Sequence, residues 1–461
     1  MSLKNTLESA DNIKYEILIK WLTERTVRQI STAQNEPEWM LKHRLKCFEI
    51  FQKSKYPKRG PSLKDLDLDD IVYYAKPSKD YEGYANNREE VPKEIKEKFQ
   101  KLGIPEAEQK YLSGAGGQYD SLNVYHKIKE QRAAKWVIFE DMPQALRSHP
   151  QLVKKYFMKV VPATDHIFAA LHGAVWSGGT FIYIPKWVQL DDPLQAYFRM
   201  NTYAGGQFEH TLIILEDNSK WSYIEWCSAP KFDKNSLHAG LVEIIVGKNS
   251  KMKYSSVENW STNTYNLNTK RAIVEESAYM EWVNWNMWSC TTMLYPCSIL
   301  KWNYSKTDML GIAVAGKWQN QDTWSKAIHI GKHTSSTIIS KTISKDGGIS
   351  TYRWLVKITK NAQNSTNHTE CDALLLDDKS ISTTIPDIIC DNNTSIVAHE
   401  ASAWKVDDNE IFYLTSRGIE EGKAIAMIVN WFFSSVVKKL PLEYAGELNK
   451  LIEMEMEWSV W

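Results

Sequence analysis

From about Ala174 to Ala398 the chain carries a short strand-like run every 10 to 15 residues. The runs include GTFIYIP, HTLIIL, SYIEW, GLVEIIVG, KMKYSSV, RAIVEE, TTMLYP, LGIAVAG, SSTIISKTI, STYRWLVKI and ECDALLLD. They are rich in β-branched and aromatic residues, and Gly, Asn, Asp and Ser lie between them. No helix longer than a turn or two interrupts the series. About 225 residues of this kind allow a sandwich, a barrel, a propeller or a solenoid, and no strict period selects among them. Polar stretches such as STNTYNLNTK and TKNAQNSTNHTE favour the solenoid, because Asn and Thr side chains can ladder along stacked rungs.

The flanks read differently. Residues 1–165 are predicted to be a helical N-terminal domain. In EPEWMLKHRLKCFEIFQKS, Trp39, Met40, Leu45, Phe48, Ile50 and Phe51 form roughly one helical face, opened by Asn35-Glu36-Pro37. EVPKEIKEKFQKLG is a second predicted helix, GAGGQ a glycine-rich turn, and DMPQALRSHPQLVKKYFMKVV a further helical stretch. Residues 166–398 form the predicted β core. Residues 399–461 are predicted to be helical again, through SRGIEEGKAIAMIVNWFFSSVVKKL and PLEYAGELNKLIEMEME.

Charge and cysteine usage narrow the function. Lys+Arg and Asp+Glu each number 56, which argues against nucleic-acid or membrane-surface binding, where a basic excess is the rule. No apolar run approaches the roughly 20 residues that span a bilayer, and the charged N-terminus lacks an apolar signal core, so the cytoplasm is the expected compartment. The six cysteines (Cys47, Cys227, Cys290, Cys297, Cys371 and Cys390) contain no CxxC pair and no histidine at zinc-finger spacing. Taken alone, they read as small buried hydrophobes. Any thiol chemistry must come from residues that the fold brings together.

Long ordered segments carry a family resemblance. They include NEPEWMLKHRLKCFEIF, LGIPEAEQKYLSG, VYHKIKE, HGAVWSGGTFIYIPK, GQFEHTLII, CSAP, ENWSTNTYNLNTKRA, YRWLVKI, ECDALLLD, HEASAWKV and IFYLTSRGIEE. From about residue 35 onward the chain resembles the SufB/SufD family of the SUF iron–sulfur cluster assembly system, and within it the SufB branch. The resemblance implies a mainly β fold, a right-handed parallel β-helix between helical N- and C-terminal domains. It implies a scaffold without enzymatic activity of its own that receives persulfide sulfur and iron and builds a transient iron–sulfur cluster of the 4Fe-4S type. A reduced flavin is a further participant it raises. The implied partners are a SufC-type ABC ATPase docked on the C-terminal helices, a SufD-type paralogue or a second copy of the chain, and a cysteine desulfurase with its sulfur carrier. By the same resemblance Cys227 is the sulfur acceptor, and Arg199, Asn201, Glu258, Trp260 and Lys270 line a sulfur route. Cys371, Glu400 and the adjacent His399 hold the cluster, and the other four cysteines are structural. Arg199 and Lys270 are expected to stabilise a persulfide and to lower the pKa of the neighbouring thiol. Glu258 stands where an amide is usual, so its charge needs Lys270 for neutralisation. A carbohydrate-active β-helix is the competing reading of the aromatic content; it calls for an export signal and acids clustered on successive rungs, and neither is evident.

Tryptophan is the compositional anomaly, at 19 of 461 residues beside 21 glycines. Trp39, Trp176, Trp260 and Trp282 match family tryptophans, and Trp221 is compatible with one. The other fourteen stand where the family has or accepts glycine: Trp21, Trp136, Trp187, Trp226, Trp285, Trp288, Trp302, Trp318, Trp324, Trp354, Trp404, Trp431, Trp458 and Trp461. Moving fourteen residues from one type to the other gives 35 glycines, or about 7.6% against a usual roughly 7%. This predicts a gene that uses UGA for glycine, written here with a code that reads UGA as tryptophan.

Overall fold

A computed structural model describes residues 14–77, 114–128 and 135–437. Its centre is a parallel β-solenoid. One ten-stranded sheet runs, from one edge inward, through Ile396–Lys405, Thr366–Leu375, Ser335–Ser344, Lys306–Ala315, Tyr279–Met287, Lys251–Asn259, Lys220–Ser228 and Leu194–Arg199, and ends on Gly114–Tyr119 and Leu122–Ile128. An eleven-stranded sheet faces it, with Ile381–Cys390 at the corresponding edge. The chain crosses between the sheets in each coil, so strands adjacent in a sheet are one coil apart in sequence.

The pairing register explains why no strict period is visible in the sequence. In the first sheet Lys251 pairs with Tyr279, Tyr279 with Lys306, Lys306 with Ser335, Ser335 with Thr366 and Thr366 with Ile396. The coil therefore advances by 28, 27, 29, 31 and 30 residues. The strands keep register while the connecting turns absorb the difference. Alternate residues point inward, and Tyr223, Tyr254, Trp282, Met309, Ile338 and Cys371 belong to the buried interior. The expected polar ladders are present at the turns. Asn249 Nδ2 donates to Asn218 Oδ1 at 3.0 Å, and Thr334 and Ser365 share a hydroxyl contact of 2.7 Å.

The N-terminal part is less helical than expected. Helices Glu24–Ala33 and Glu38–Lys53 form, but so do strands Tyr15–Lys20, Val72–Pro77, Gly114–Tyr119, Leu122–Ile128 and Ile138–Asp141. GAGGQ is not a turn; it begins a strand that pairs with Leu194–Arg199 and extends the first sheet. Glycine depresses strand propensity, so only the tertiary pairing reveals it. The predicted helix from Asp141 is cut in two, Met142–Ser148 and Pro150–Tyr156, because Pro150 restarts the helix after His149. At the other end the last strand runs to Lys405, so His399 and Glu400 lie on a rung and the helices Asp408–Thr415 and Glu421–Val437 follow it. The predicted helices in EVPKEIKEKFQKLG and PLEYAGELNKLIEMEME lie outside the described residues.

Two buried side chains anchor the helical region: Arg44 joins helix Glu38–Lys53 to the end of helix Ile167–Val175, and Glu243 joins the solenoid to the segment after helix Pro150–Tyr156. Arg44 is fully buried, bonds Glu36 at 2.6 Å and donates to the carbonyls of Ala174 and Trp176 at 3.1 and 2.8 Å. Glu243, on a solenoid strand, accepts from the backbone N–H groups of Met158, Val160 and Val161 at 2.5, 2.6 and 2.8 Å. Both arrangements satisfy charges that would otherwise be costly to bury.

The backbone marks five of the fourteen tryptophans, whereas Trp226, Trp285, Trp302, Trp324, Trp354, Trp404 and Trp431 have no positive φ. Trp21, Trp136, Trp187, Trp288 and Trp318 have φ of 58°, 61°, 68°, 65° and 65°. This left-handed region is disfavoured for every residue with a Cβ and is natural for glycine. All five belong to the fourteen. Trp39, Trp176, Trp221, Trp260 and Trp282 lie among the described residues, and none has a positive φ. Four of the left-handed indoles also project into solvent, with Trp136 and Trp318 83% and 86% exposed. Replacing Trp187 and Trp318 by glycine, singly, is expected to raise the unfolding free energy by about 0.5–1 kcal/mol each, read as a higher urea midpoint. A lower midpoint for both would contradict the strain argument.

Candidate functional site

Strand Lys220–Ser228 runs between Leu194–Arg199 and Lys251–Asn259, and its register sets Cys227 beside Phe198 on one side and Glu258 on the other. Tyr223, Glu225 and Cys227 are two residues apart and share the inward face. Around them gather Glu209, His238, Glu258, Trp260, Asn266 and Lys270, all buried.

Glu258 is the hub of this cluster. Lys270 Nζ reaches its Oε1 at 2.7 Å and also donates to Ser256 Oγ at 2.7 Å. Asn266 Nδ2, Asn268 Nδ2 and Trp260 Nε1 donate to the same carboxylate at 2.6, 3.2 and 3.4 Å. Burial pushes the Glu258 carboxyl up, but Lys270, His238 and the Asn266 amide outweigh it and hold the group below the usual carboxylate range. Lys270 therefore neutralises the Glu258 carboxylate, as the sequence reading required. Glu225 is bonded by Tyr254 at 2.7 Å and by Thr211 at 3.2 Å. Burial raises its pKa, with Lys270 opposing.

The thiol itself departs from expectation. Burial drives the Cys227 thiol well above its ordinary value, Glu225, Glu209 and Glu258 push it further, and Lys270 offsets only part. The expected lowering by basic neighbours is overturned first by burial and then by the carboxylates around the sulfur, against the one lysine. Arg199 is fully buried, but the register pairs it with Ser228, whose Oγ it meets at 3.1 Å. Strand alternation puts that pair on the face opposite Cys227. Asn201 follows the strand end, and its N–H donates to Asp120 Oδ1 at 2.7 Å. Of the proposed route residues, the structure thus brings Glu258, Trp260 and Lys270 to Cys227 and holds Arg199 and Asn201 just outside.

Cys371 lies near the opposite end of the solenoid, on the penultimate strand of the first sheet, opposite Ser340 and Ala401. It is buried, and burial together with Asp372 and Glu370 pushes its thiol up to about 12. His399 pairs with Thr369 and shares the face of Cys371, with its ring 4.7 Å from that of Trp354. Glu400 pairs with Glu370 and points to the other face. Both His399 and Glu400 are exposed on the terminal rung. Among the described residues, Cys371, His399 and Glu400 do not converge on one point as the trio Glu209, Cys227 and His238 does.

Register connects the two thiols. One inward column runs Cys227, Glu258, Asn286, Ala313, Thr342 and Ala373. Its neighbour runs Glu225, Ser256, Asn284, Gly311, Ser340 and Cys371. Five rungs at about 4.8 Å span roughly 24 Å. Small and polar side chains fill both columns, whereas an adjacent column of Tyr223, Tyr254, Trp282, Met309 and Ile338 is bulky. The Asn286 amide nitrogen and oxygen are buried and meet no protein partner.

Sequence reasoning missed Glu209, Glu225 and His238. Glu225 was accessible in principle, since YIEWC spaces Tyr223, Glu225 and Cys227 at strand period. Glu209 and His238 needed the coil-to-coil register. The four remaining cysteines are not uniform: Cys47 and Cys297 are buried, Cys290 is intermediate and Cys390 is exposed, so the buried-hydrophobe reading fails for Cys390.

Fold and site together define a thiol-bearing parallel β-solenoid with a buried charged chamber, capped by helical segments. Comparison with known proteins makes this specific. The SufBD core domain of SUF system FeS cluster assembly matches residues 198–432, and the SufBD protein N-terminal region matches residues 23–196. An iron–sulfur cluster assembly SufBD family protein of Staphylococcus saprophyticus is 49% identical over 439 residues, 95% of this chain and 94% of the relative. One from Staphylococcus aureus MRSA252 is 50% identical over the same length and shares. The chain belongs to the SufBD family of iron–sulfur cluster assembly proteins.

Two outcomes test this description. Glu258→Ala leaves Lys270 buried without its counter-ion and is expected to cost about 3–5 kcal/mol in urea unfolding; a loss below about 1 kcal/mol would refute the hub. Alkylation of Cys371 should accelerate tenfold per pH unit from pH 7 to 10, because the thiolate fraction keeps rising toward a pKa of about 12. A plateau above the ordinary thiol range of about 8.5 would show the thiol to be unperturbed.

Proposed function

We propose that this chain is a SufB-type scaffold that accepts sulfur at Cys227 and supports cluster building at Cys371. The observation that carries this reading is the pair of small, polar inward columns joining the two thiols. In the transfer step the Cys227 sulfur attacks the outer sulfur of a donor persulfide as its thiol proton is given up. The S–S bond of the donor breaks, the donor leaves as a thiol that takes up the proton, and Cys227 becomes the persulfide. A cysteine desulfurase with its carrier is the source. Lys270, bonded to Ser256, can balance the anionic persulfide as it moves toward Ser256 and Asn284. Cys371 supplies a soft ligand for the nascent cluster, which is cargo rather than a resident group. His399 and Glu400 are the further ligands in this reading, and the cluster is of the 4Fe-4S type.

The exposed end of the solenoid supports a paired assembly. Ile381–Cys390 and Ile396–Lys405 are the edge strands of the two sheets, and they expose Ile381, Ile385, Ile388, Ile389 and Ile396. Open apolar edges are a template for another chain, here a SufD-type paralogue or a second copy. Such pairing would cover His399 and Glu400. The C-terminal helices expose Phe412, Tyr413 and Met427, which supports the docking of a SufC-type ATPase. Six free cysteines suit a reducing cytoplasm, and no helix among the described residues is long and apolar enough to cross a membrane.

The same proposal includes glycine at the fourteen anomalous positions, supported by the five left-handed tryptophans. Mass spectrometry of the native protein is expected to find glycine at 226, 354 and 404; tryptophan there would refute it. For the scaffold role, anaerobic reconstitution with the ATPase partner, iron, cysteine and desulfurase is expected to give cluster absorbance that Cys371→Ala loses. Full absorbance in that variant would overturn the assignment.

A further inference from the structure

The chamber around Cys227 holds more than a sulfur acceptor needs. Glu209, Cys227 and His238 come from three different segments, and each offers a donor atom within 4.8 Å of the other two. His238 is fully buried and Glu209 nearly so. Asn266 Oδ1 lies 2.7 Å from His238 Nδ1, so Nδ1–H donates there, and Nε2 is the ring nitrogen that shares a proton with Glu209 Oε1. An outer acceptor that fixes the tautomer in this way is the usual support of a metal-ligating histidine. Glu209 Oε2 is buried with no hydrogen-bond partner. Gly240 makes room for the trio, since a Cβ there would lie 2.3 Å from Glu209 Oε1 and 2.9 Å from His238 Nε2.

Formal charge points the same way. Glu209, Glu225 and Glu258 face one buried lysine, Lys270, and Glu258 already engages it. A bound cation would take the place of the proton that His238 Nε2 shares with Glu209, leaving carboxylate, imidazole and thiolate as its donors. A tetrahedral ion with bonds near 2.0–2.3 Å holds its donors roughly 3.5 Å apart. Small side-chain rotations would bring the trio to that spacing. Mixed carboxylate, imidazole and thiolate donors suit a late first-row ion rather than magnesium or calcium.

We propose that Glu209, Cys227 and His238 form an internal ferrous-iron site, so that iron and sulfur meet at the sulfur-accepting thiol before either reaches Cys371. Binding converts the Cys227 thiol to a metal-bound thiolate and releases its proton. No electron is transferred. The proposal rests on the reading of Cys227 as the sulfur acceptor.

Anaerobic titration of the full chain, carrying glycine at the fourteen positions, with Co²⁺ as the ferrous probe tests it. The expected result is one equivalent bound with a sulfur-to-cobalt charge-transfer band. Cys227→Ser should abolish the band, Glu209→Gln and His238→Gln should weaken binding at least tenfold, and Cys371→Ala should leave it. A band that persists in Cys227→Ser or vanishes in Cys371→Ala would overturn the proposal. X-ray absorption of the unsubstituted cobalt-loaded chain guards against misfolded variants: one sulfur with nitrogen and oxygen donors is expected, and a sulfur-free shell would overturn it. Persulfide labelling of Cys227 is read separately. Labelling without cobalt binding removes the iron site and leaves the acceptor role, whereas cobalt binding without labelling does the reverse.

Discussion

The in-register parallel ladder is the constraint on which the rest depends. Each coil hydrogen-bonds to the next with aligned residues, so an inward position on one rung is inward on all. A one-residue slip would turn Cys227, Glu258 and Cys371 to the outside together. The ladder also fixes which chemistry can be internal. Backbone groups are satisfied between rungs, which leaves the interior free to be apolar in one column and polar in the next.

The polar column is sustained by mutual pairing. Glu258 survives burial because Lys270, Asn266, Asn268 and Trp260 all converge on it. Buried charges of this kind contribute little net stability, and removing one partner is costly. Retaining them in a core that could be apolar argues for a chemical role. Burial, reinforced by Glu225, Glu209 and Glu258, keeps the Cys227 thiol protonated, so a cation or an arriving persulfide must change the balance before the sulfur reacts.

How much of this was legible in the sequence follows from what repeats and what does not. The strand runs and their turns are local and left four β architectures open; the family segments implied the solenoid and named Cys227 and Cys371. GAGGQ was misread because glycine carries no strand signal, and the last rung was cut at Ala398 because HEASAWKV lacks a clear alternation. Glu209 and His238 were invisible because their partners lie one coil away, across turns of uneven length. The excess of tryptophan was legible from composition, the fourteen positions only from the family resemblance, and a left-handed backbone gives a physical reason at five of them, Trp187 and Trp318 included.

The central claim is that sulfur enters at Cys227 and leaves as cluster at Cys371. Its most direct test follows heavy-isotope sulfur from labelled cysteine through desulfurase during reconstitution, with the Cys227 peptide sampled by mass spectrometry as cluster absorbance grows. The account predicts one labelled sulfane sulfur on Cys227 that appears before the cluster and declines as it forms. Cluster growth at full rate with no label ever resident on Cys227 would contradict it.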